Sequence, residues 1–483
     1  MTNKMVLSLA LTLTVLLVSC TTKSTLRFDK LVNATLNNDF LPAIEQIKSK
    51  PGLYGKASEL LYNMDIGMLY QYANMYDSSN KYLLQAADIY DGLFTRSITN
   101  EAAAVLLNDN VRPYRSKPYE LVMLHQFIGF NFLAKQNVDD ALVETRRTQL
   151  LFNEWERKAR DDEKYTNDPM FHYLSSILYD SKKETSDAMI SLYKSIDAFK
   201  KGPLALPSQI GDYAYYMFRM NNRESDIKQL NLNTSVTKEQ VRGLTNEQSE
   251  IVVVGYAGRG PALGESTWWG TYVKDGLLIL NHKEPDGKEV TMTLPAPSLP
   301  ENELRNAEKG QKTKSGTTFH IKIALPGVNK LPSETDVFSV NCQGVSSQPV
   351  KTIVINDLEK QAEKYIEDTK GSTLTRTIIR VVLRTIAAEK TKENIRTDNA
   401  IANLLLNFGT DILTDQMEKA DTRSCFFLPK TIQIARIPVK AGGTYSVDVA
   451  ALNSSGGVLN SKTFSGITVG ENEKKFIFYS SFK

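Results

Sequence analysis

The sequence predicts an α+β multidomain protein, with an all-α solenoid of helical repeats in its first half and a β-rich, sandwich-like domain with a helical insertion in its second half. Three observations support this prediction. From about residue 28 to residue 230, apolar and aromatic residues recur at three- and four-residue spacing, as they do on helices. After residue 231, short β-branched segments alternate with Gly, Pro and Asp, as strands and turns do. A chain of 483 residues is also long for one core.

The first 20 residues are typical of a cleaved targeting segment. Lys4 supplies positive charge, and the apolar run from Met5 to Val18 is shorter than the ~20 residues that a membrane-spanning helix needs. The run ends in Leu17-Val18-Ser19-Cys20, which resembles the bacterial lipobox. This resemblance implies that residues 1–19 are a lipoprotein signal peptide and that Cys20 carries lipid. A core helix, or an ordinary signal peptide with an incidental cysteine, is the alternative.

The residues after Cys20 indicate where the anchored body lies. Thr21 stands where an inner-membrane retention signal has Asp, and residues 21–24 lack the acidic residues typical of surface-export signals. We therefore expect anchoring in the bacterial outer membrane, with the body on the periplasmic side. Two or three acyl chains make this attachment permanent, because each buried methylene contributes ~0.8 kcal/mol.

Charge and residue types exclude several classes of function. A net charge of +3 is too small to predict nucleic-acid binding. The four histidines lie far apart, without metal-ligand spacing, at His125, His172, His282 and His320. The chain has no HExxH and no GxSxG motif, so we predict no metal, no cofactor and no enzymatic activity. An enzyme of cell-wall or glycan metabolism, assembled from distant residues, stays an alternative.

One template recurs three times in the helical half. A small residue is followed by an aromatic residue at offset 3 and by further core positions at offsets 12, 16 and 19. The three copies are Gly67, Tyr70, Ser79, Leu83 and Ala86; Gly129, Phe132, Ala141, Thr145 and Thr148; and Ser176, Tyr179, Ala188, Leu192 and Ser195. The template resembles the tetratricopeptide repeat (TPR), in which small residues let antiparallel helices approach closely. The copies are spaced more widely and less evenly than the ~34 residues of an ideal array, so we expect an irregular TPR-like solenoid, with an unrelated helical bundle as the alternative.

The helical half, residues 20–230, is expected to bind protein segments. Further helix pairs are predicted at about residues 31–48 and 207–230. Stacked helix pairs form a concave groove that generally holds a partner. Tyr72 and Tyr76, in a repeat rich in tyrosine, are candidates for lining it.

The second half, residues 231–483, is predicted to form strands with a helical insert at about 357–420. Within the insert, helices are predicted at about 357–368, 373–390 and 398–419. Trp268 and Trp269 are adjacent in a strand-like segment, so one faces the core and the other faces outward. The outward ring is a candidate for stacking on a sugar or a partner.

The stretch "ADTRSCFFLPKTIQIARIPVKAGG", Ala420 to Gly443, resembles the hallmark of a family of uncharacterised TPR-containing bacterial lipoproteins. The match extends to "DDALVETRR" in the middle repeat and to "EIVVVGYAGRGPA". Cys425 stands where the family has Trp after the serine. The resemblance implies a place among envelope lipoproteins similar to curli-secretion subunits, and it implies no activity.

Several charged and thiol groups allow two interpretations. Asp421 and Arg423 either contact a partner or form a structural pair that pins a helix to the sheet. The stripe Arg376, Arg380 and Arg384 either meets an acidic partner or forms a solvated helix face. Cys342 and Cys425 either form a disulfide in an oxidising periplasm or are two separately buried thiols.

Together these features predict a lipid-anchored scaffold for protein–protein interaction in an envelope assembly. Its expected partners are envelope proteins, other lipoproteins among them, and it meets the membrane through the N-terminal lipid. A glycan-binding outer-membrane lipoprotein is the alternative, which an exposed aromatic platform around Trp268 or Trp269 would favour.

Overall fold

The computed structural model shows a mixed helix and sheet fold, 46% helical and 27% strand. It describes residues 31, 35–97, 112–158, 167–241, 249–284, 286–301, 304, 314–345, 348–395 and 419–483. The segment predicted to be a signal peptide and Cys20 lie outside the described residues, and so does most of the helix predicted at 398–419.

Helices of the first half form hairpins, in which two helices are joined by a short turn. The helices are α1 (Phe40–Ser49), α2 (Glu59–Tyr72), α3 (Tyr76–Ser97), α4 (Pro118–Ala134), α5 (Val138–Lys158), α6 (Pro169–Ser181), α7 (Thr185–Lys201), α8 (Ser208–Met220) and α9 (Glu224–Gln229). Short 3₁₀ turns cover Pro51–Leu53, Lys56–Ser58 and Lys238–Gln240. The hairpins are α2–α3, α4–α5, α6–α7 and α8–α9, each with a turn of three residues.

The four hairpin turns share one backbone geometry. The middle residue of each has a positive φ of 56° to 62°; these residues are Asn74, Gln136, Lys183 and Asn222. In every turn, the next backbone N–H donates to the carbonyl five residues before it, from Met75 to Tyr70, Asn137 to Phe132, Glu184 to Tyr179 and Arg223 to Phe218. This is the hydrogen bond that closes a helix on a left-handed residue. The aromatic residue of each template copy therefore accepts the hydrogen bond that closes its helix. Phe218 does the same in a fourth hairpin.

Small residues of the first and third template copies lie at contacts between the helices of their hairpins. A Cβ atom built on Gly67 would lie 2.5 Å from Leu83 Cδ2 on the facing helix. Ser79 Oγ donates to the Gly67 carbonyl at 2.7 Å, and Ser195 Oγ donates to the Pro169 carbonyl at 2.8 Å. Both hydroxyls thereby join the two helices of their hairpins without exposing a polar group to the core.

The strands of the second half form three four-stranded sheets. The strands are β1 (Ser249–Arg259), β2 (Ala262–Val273), β3 (Leu277–Lys283), β4 (Glu289–Pro295), β5 (Thr318–Asn329), β6 (Val337–Cys342), β7 (Val350–Lys351), β8 (Ile353–Asp357), β9 (Pro429–Val439), β10 (Thr444–Leu452), β11 (Val458–Thr468) and β12 (Lys474–Ser481). The central sheet has the order β12-β1-β9-β8, the second sheet β11-β10-β6-β7 and the third sheet β4-β3-β2-β5. Strands β1 and β12 pair in parallel, and the other described pairs are antiparallel.

The central sheet is buried on both faces. Successive side chains of a strand point to opposite sides. On β1, Val252 and Val254 pack in the core formed by the helices, whereas Ile251 and Val253 pack against the second sheet. The helices, the central sheet and the second sheet are therefore three successive layers, with β1 in the middle one.

The third sheet packs against one long helix, α10 (Leu358–Ile395). The sequence predicted a break near residue 370, but the helix continues through Gly371. Leu374, Ile378 and Val382 pack on the third sheet, and this burial outweighs the poor helix propensity of one glycine. Arg380 is buried, so the interpretation of the arginine stripe as a wholly solvated face is wrong at this position.

Candidate functional site

The inner face of the helical hairpins, where we expected a partner segment, is covered by the central sheet. Phe127 of α4 stacks on Tyr256 of β1, with 5.4 Å between ring centroids and 18° between the planes. Phe130 meets Phe478 of β12 at 5.4 Å. Gln71 Nε2 donates to the Tyr256 hydroxyl at 2.9 Å. The chain thus fills with its own strands the surface that a TPR-like array would offer to a partner.

The two tyrosines predicted to line the groove have different positions. Tyr72 is buried, and its hydroxyl donates to the Phe427 carbonyl at 2.7 Å. The interpretation of Tyr72 as a partner contact is therefore wrong, because the central sheet and the segment after residue 420 cover it. Tyr76 is half-buried at the start of α3, where its hydroxyl donates to Asn74 Oδ1 at 3.0 Å.

Two buried carboxylates hold the strap, which we define as Ala420–Leu428. The Cys425 backbone N–H donates to Glu120 Oε1 at 2.8 Å, and the next N–H, that of Phe426, donates to Asp65 Oδ1 at 2.8 Å. Asp65 lies on α2 and Glu120 on α4, and neither is exposed to solvent. Consecutive amides of the strap are thus fixed to two different hairpins.

Asp65 sits in an unusual electrostatic environment for a carboxylate. It accepts hydrogen bonds from the Tyr54 hydroxyl at 2.8 Å and from Cys425 Sγ at 3.1 Å. Burial raises the pKa of Asp65 to about 7, although its hydrogen bonds favour the charged form. Burial, with the nearby Asp65 charge, also raises the pKa of the Cys425 thiol well above its usual range. Cys425 is therefore a protonated donor and not a nucleophilic thiolate.

Glu120 anchors the start of α4 as well as the strap. Its Oε2 accepts the Lys117 backbone N–H at 3.0 Å and the Tyr114 hydroxyl. The Lys117 ammonium lies 3.9 Å from the same oxygen and also donates to the Arg423 carbonyl. One carboxylate thus caps a helix and ties the strap to it.

Asp421 and Arg423 form the structural pair that the sequence allowed. Arg423 donates to Asp421 through Nε at 2.8 Å and through Nη2 at 2.7 Å. Its Nη1 donates to the Arg112 carbonyl at 3.0 Å, and its guanidinium lies 5.3 Å from the Tyr114 ring centroid. Burial alone raises the pKa of Asp421, but the hydrogen bonds and charge of Arg423 hold it below its usual range. The pair therefore fastens the strap to the helical half.

A second charged cluster, which sequence reasoning missed, joins the helices to the central sheet. Glu250 of β1 pairs with Arg436 of β9 at 2.8 Å and with Lys474 of β12 at 3.1 Å. Lys474 also lies 3.6 Å from Asp180 of α6, and Arg436 lies over the Tyr213 ring at 4.6 Å. These side chains are buried. The available sequence signal was a charged residue beside the apolar runs of three strands.

The histidines and cysteines have structural surroundings. His125 Nδ1 is hydrogen-bonded to Glu144 at 2.8 Å, and burial followed by the Lys194 charge lowers the pKa of His172 to about 3. Cys342 and Cys425 are free thiols in different core clusters. In the part of the chain that the structure describes, no group of three or more His, Cys, Asp or Glu residues could hold a metal ion. Among the described helices, none is both long and apolar enough to cross a membrane.

Trp268 and Trp269 lie on opposite faces of β2. Trp268 is 8% exposed in the core between the third sheet and α10, and its ring stacks on His282 with 4.9 Å between centroids. Its Nε1 donates to Ser266 Oγ at 3.1 Å. Trp269 is 45% exposed on the outer face. Trp269 is thus the ring that can meet a ligand.

A polar cleft of about 460 Å³ lies beside the junction of the central and second sheets. Its ionisable lining residues are Glu334, Asp336 and Lys430. Lys430 is engaged with Glu359 at 3.5 Å. No histidine or cysteine lines the cleft in the described part of the chain, so its lining offers neither a nucleophilic thiol nor an imidazole base.

Known proteins provide no template for these sites. No protein-family model, no curated protein and no solved structure matches the chain. Function is therefore inferred from the exposed surfaces and from the contacts described above.

Proposed function

We propose that the protein is a lipid-anchored lipoprotein on the periplasmic side of a bacterial outer membrane, where it acts as a protein–protein interaction scaffold. The leader that ends at Cys20 supports the anchor. The four identical hairpin turns support an irregular TPR-like array. The expected partners are envelope proteins, other lipoproteins among them, as the resemblance of the strap and its flanks implies.

The observation that carries the scaffold proposal is the apolar outer surface of the hairpins. On α5, Val143 is 43% exposed and Leu150 is 66% exposed. Seven residues are about two helical turns, so both side chains lie on the same side of α5. Ile190 of α7 is also exposed, and Lys194, one turn later, donates to Gln149 of α5 at 3.3 Å. This contact makes α5 and α7 neighbours, and we call their three exposed apolar residues the outer helical surface (Val143, Leu150 and Ile190).

The partner is assigned to this outer surface because the inner one is occupied. Exposed apolar side chains on helices are typical of protein-docking surfaces. Arg147, between the two apolar residues on α5, pairs with Glu144 at 3.2 Å and adds a charged rim. A partner is therefore expected to bring an apolar side chain against Val143 and Leu150 of α5.

The test is site-specific photocrosslinking from position 150 in intact cells, followed by purification from membranes. We expect adducts with envelope lipoproteins, and we expect Leu150→Glu to abolish recovery of the same proteins in a pull-down. Val458→Glu is the matched control, because Val458 is 65% exposed on β11, away from the outer helical surface. Recovery of no envelope protein, with the abundance of the chain verified, would refute the scaffold proposal.

The anchor has its own test. Mass spectrometry of the mature protein is expected to find residue 20 as the first residue, with acyl chains on its sulfur. Cys20→Ala is expected to leave the leader uncleaved. An unmodified sulfur in the wild-type protein would remove the anchor from the proposal without deciding whether a partner binds.

A further inference from the structure

The polar cleft beside the junction of the central and second sheets has the size of a small-molecule site. Its volume of about 460 Å³ falls within the ~300–1,000 Å³ that is typical of ligand pockets. Its polar wall consists of residues 333–336 before β6, residues 430–431 of β9 and residues 453–454 after β10. Ala257 of β1 and Val354 of β8 form an apolar side. A ligand in the cleft would therefore contact segments of both sheets.

The loop that carries the carboxylates of the cleft is fixed by hydrogen bonds to three strands. Thr335 Oγ1 is hydrogen-bonded to Ser481 Oγ of β12 at 2.8 Å. The Asp336 backbone N–H donates to the Leu452 carbonyl of β10 at 2.9 Å. The Asp336 carbonyl accepts from Gln433 Nε2 of β9 at 2.8 Å. The cleft is therefore preformed, and a ligand would not have to order this loop on binding.

Two carboxylates of the cleft have no partner in the described part of the chain. Glu334 and Asp336 both line the cleft, and both are exposed to solvent. Among the described residues, neither carboxylate forms an ion pair or a side-chain hydrogen bond. The Lys483 carbonyl accepts the Thr335 backbone N–H at 3.0 Å, but the Lys483 ammonium forms no ion pair with either carboxylate. Both negative charges are therefore available to a ligand.

The positive charge of Lys430, which also lines the cleft, is already compensated. Lys430 Nζ lies 3.5 Å from Glu359 Oε2 of α10, and Glu359 is 8% exposed. Separating this pair would leave a buried carboxylate without its cation, which is costly. The remaining ionisable residues of the lining are Glu334 and Asp336. A cleft lined by one sign of charge attracts ligands of the opposite sign, so this cleft is complementary to a cation.

The other lining residues select among cations. Quaternary ammonium ligands such as choline are bound by aromatic rings, and no aromatic side chain lines the cleft in the described part of the chain. The described residues also offer no group of three or more His, Cys, Asp or Glu for a metal ion. A primary ammonium group donates three hydrogen bonds, which the carboxylates and the hydroxyls of Ser333 and Ser454 can accept. Two separate carboxylates favour a ligand with two such groups.

We propose that this cleft binds a small linear diamine or polyamine, with one ammonium group at Glu334 and a second at Asp336. The methylene chain between the two ammonium groups lies against Ala257 and Val354, so the apolar part of the ligand meets the apolar side of the cleft. This ligand site goes beyond the scaffold function. The outer helical surface contributes none of the lining residues, so the two proposals can be tested separately.

The experiment is isothermal titration calorimetry of the full chain from residue 20 onward, in detergent at low salt, with spermidine and putrescine. We expect both amines to bind, spermidine more tightly because it carries one more charge, and we expect no binding of choline. The double substitution Glu334→Gln and Asp336→Asn is expected to weaken spermidine binding about tenfold, because two exposed charge pairs are lost. Added NaCl is expected to weaken spermidine binding to the wild-type protein more than to this variant.

Glu289→Gln is the matched control, because it removes an exposed carboxylate from β4 of the third sheet and is expected to leave binding unchanged. Circular dichroism of each variant verifies that it is folded. No binding of either amine, or binding that survives the double substitution, would overturn the proposal. So would magnesium chloride or trilysine that binds more tightly than spermidine and loses its binding in the double variant. The cleft would then be a site for a divalent cation or for a lysine-bearing protein segment.

Discussion

Asp65 and Glu120 are single side chains that decide where a distant segment lies. Each uses a buried oxygen to accept a backbone N–H of the strap, which is more than 300 residues away in sequence. A buried carboxylate is stable only when such donors surround it. The two residues therefore specify the path of the strap as well as contributing to stability.

Asp65 also predicts a pH dependence of stability. Its pKa is about 7 in the folded protein, compared with an ordinary value of 3.8. Between these values the folded state binds more protons than the unfolded state, so the free energy of unfolding decreases as pH rises from about 4 to about 7. The total change is on the order of a few kcal/mol, because one pKa unit corresponds to about 1.4 kcal/mol. Above pH 7 this contribution is constant.

The measurement is urea unfolding of the wild-type protein and of Asp65→Asn at several pH values from 5 to 8. We expect the difference in stability between the two proteins to change with pH below 7 and to level off above it. Asp421→Asn is the control, because the pKa of Asp421 is lowered and not raised. A pH-independent difference between wild type and Asp65→Asn would contradict the prediction.

At the scale of the element, the hairpins depend on close approach between their helices. A Cβ atom at Gly67 would lie 2.5 Å from Leu83 Cδ2, whereas one at Gly92, on the exposed side of α3, meets nothing within 4 Å. Gly67→Ala must therefore displace a buried leucine, at a cost of about 1–3 kcal/mol. Gly92→Ala is expected to stabilise α3 by about 0.5–1 kcal/mol, because alanine is the better helix former.

The two glycine variants are compared by thermal unfolding monitored at 222 nm. A lower melting temperature for Gly67→Ala and an equal or higher one for Gly92→Ala is the expected pattern. Equal destabilisation by both variants would show that the contact between position 67 and Leu83 does not determine the stability of the hairpin.

At the scale of the whole molecule, the helices and the central sheet share one core. Phe127 packs against β1, Phe130 against β12 and Tyr72 against the strap. A fragment of residues 31–241 would expose these rings, and burial of each contributes about 1.5–3 kcal/mol. We therefore expect this fragment to bind the dye ANS, to aggregate and to unfold without a cooperative transition.

The control is the full chain from residue 20 onward, which is expected to unfold cooperatively and to leave ANS fluorescence unchanged before the transition. Calorimetry and ANS titration of both proteins check the prediction. A fragment that unfolds cooperatively, with no dye binding, would show that the helical half is stable without the sheet.

Several features could be predicted from the sequence because their causes are local. The template copies that begin at Gly67, Gly129 and Ser176 located three hairpins, since small residues at fixed offsets reflect helix contacts within one pair. Adjacency of Trp268 and Trp269 was enough to place them on opposite faces of a strand. A pairing of Asp421 with Arg423 was one of the two interpretations that their separation of two residues allowed.

The remaining features of the candidate site depend on contacts between distant segments. In the sequence, Asp65 and Glu120 look like ordinary acidic residues of helices. Nothing near them in the sequence indicates that Cys425 and Phe426 lie against them. The cluster of Glu250, Arg436 and Lys474 comes from three separate strands. Periodic patterns indicate which side of an element is buried, but they do not identify the element that buries it.

Patterns within single segments were enough to predict the mixture of helices and strands and the hairpin repeat. That the central sheet covers the inner face of the hairpins, which moves the proposed partner contacts to the outer helical surface, emerges only in the folded chain. Secondary structure arises from spacing within a segment, whereas the covering of a face is selected by complementarity between segments that are hundreds of residues apart.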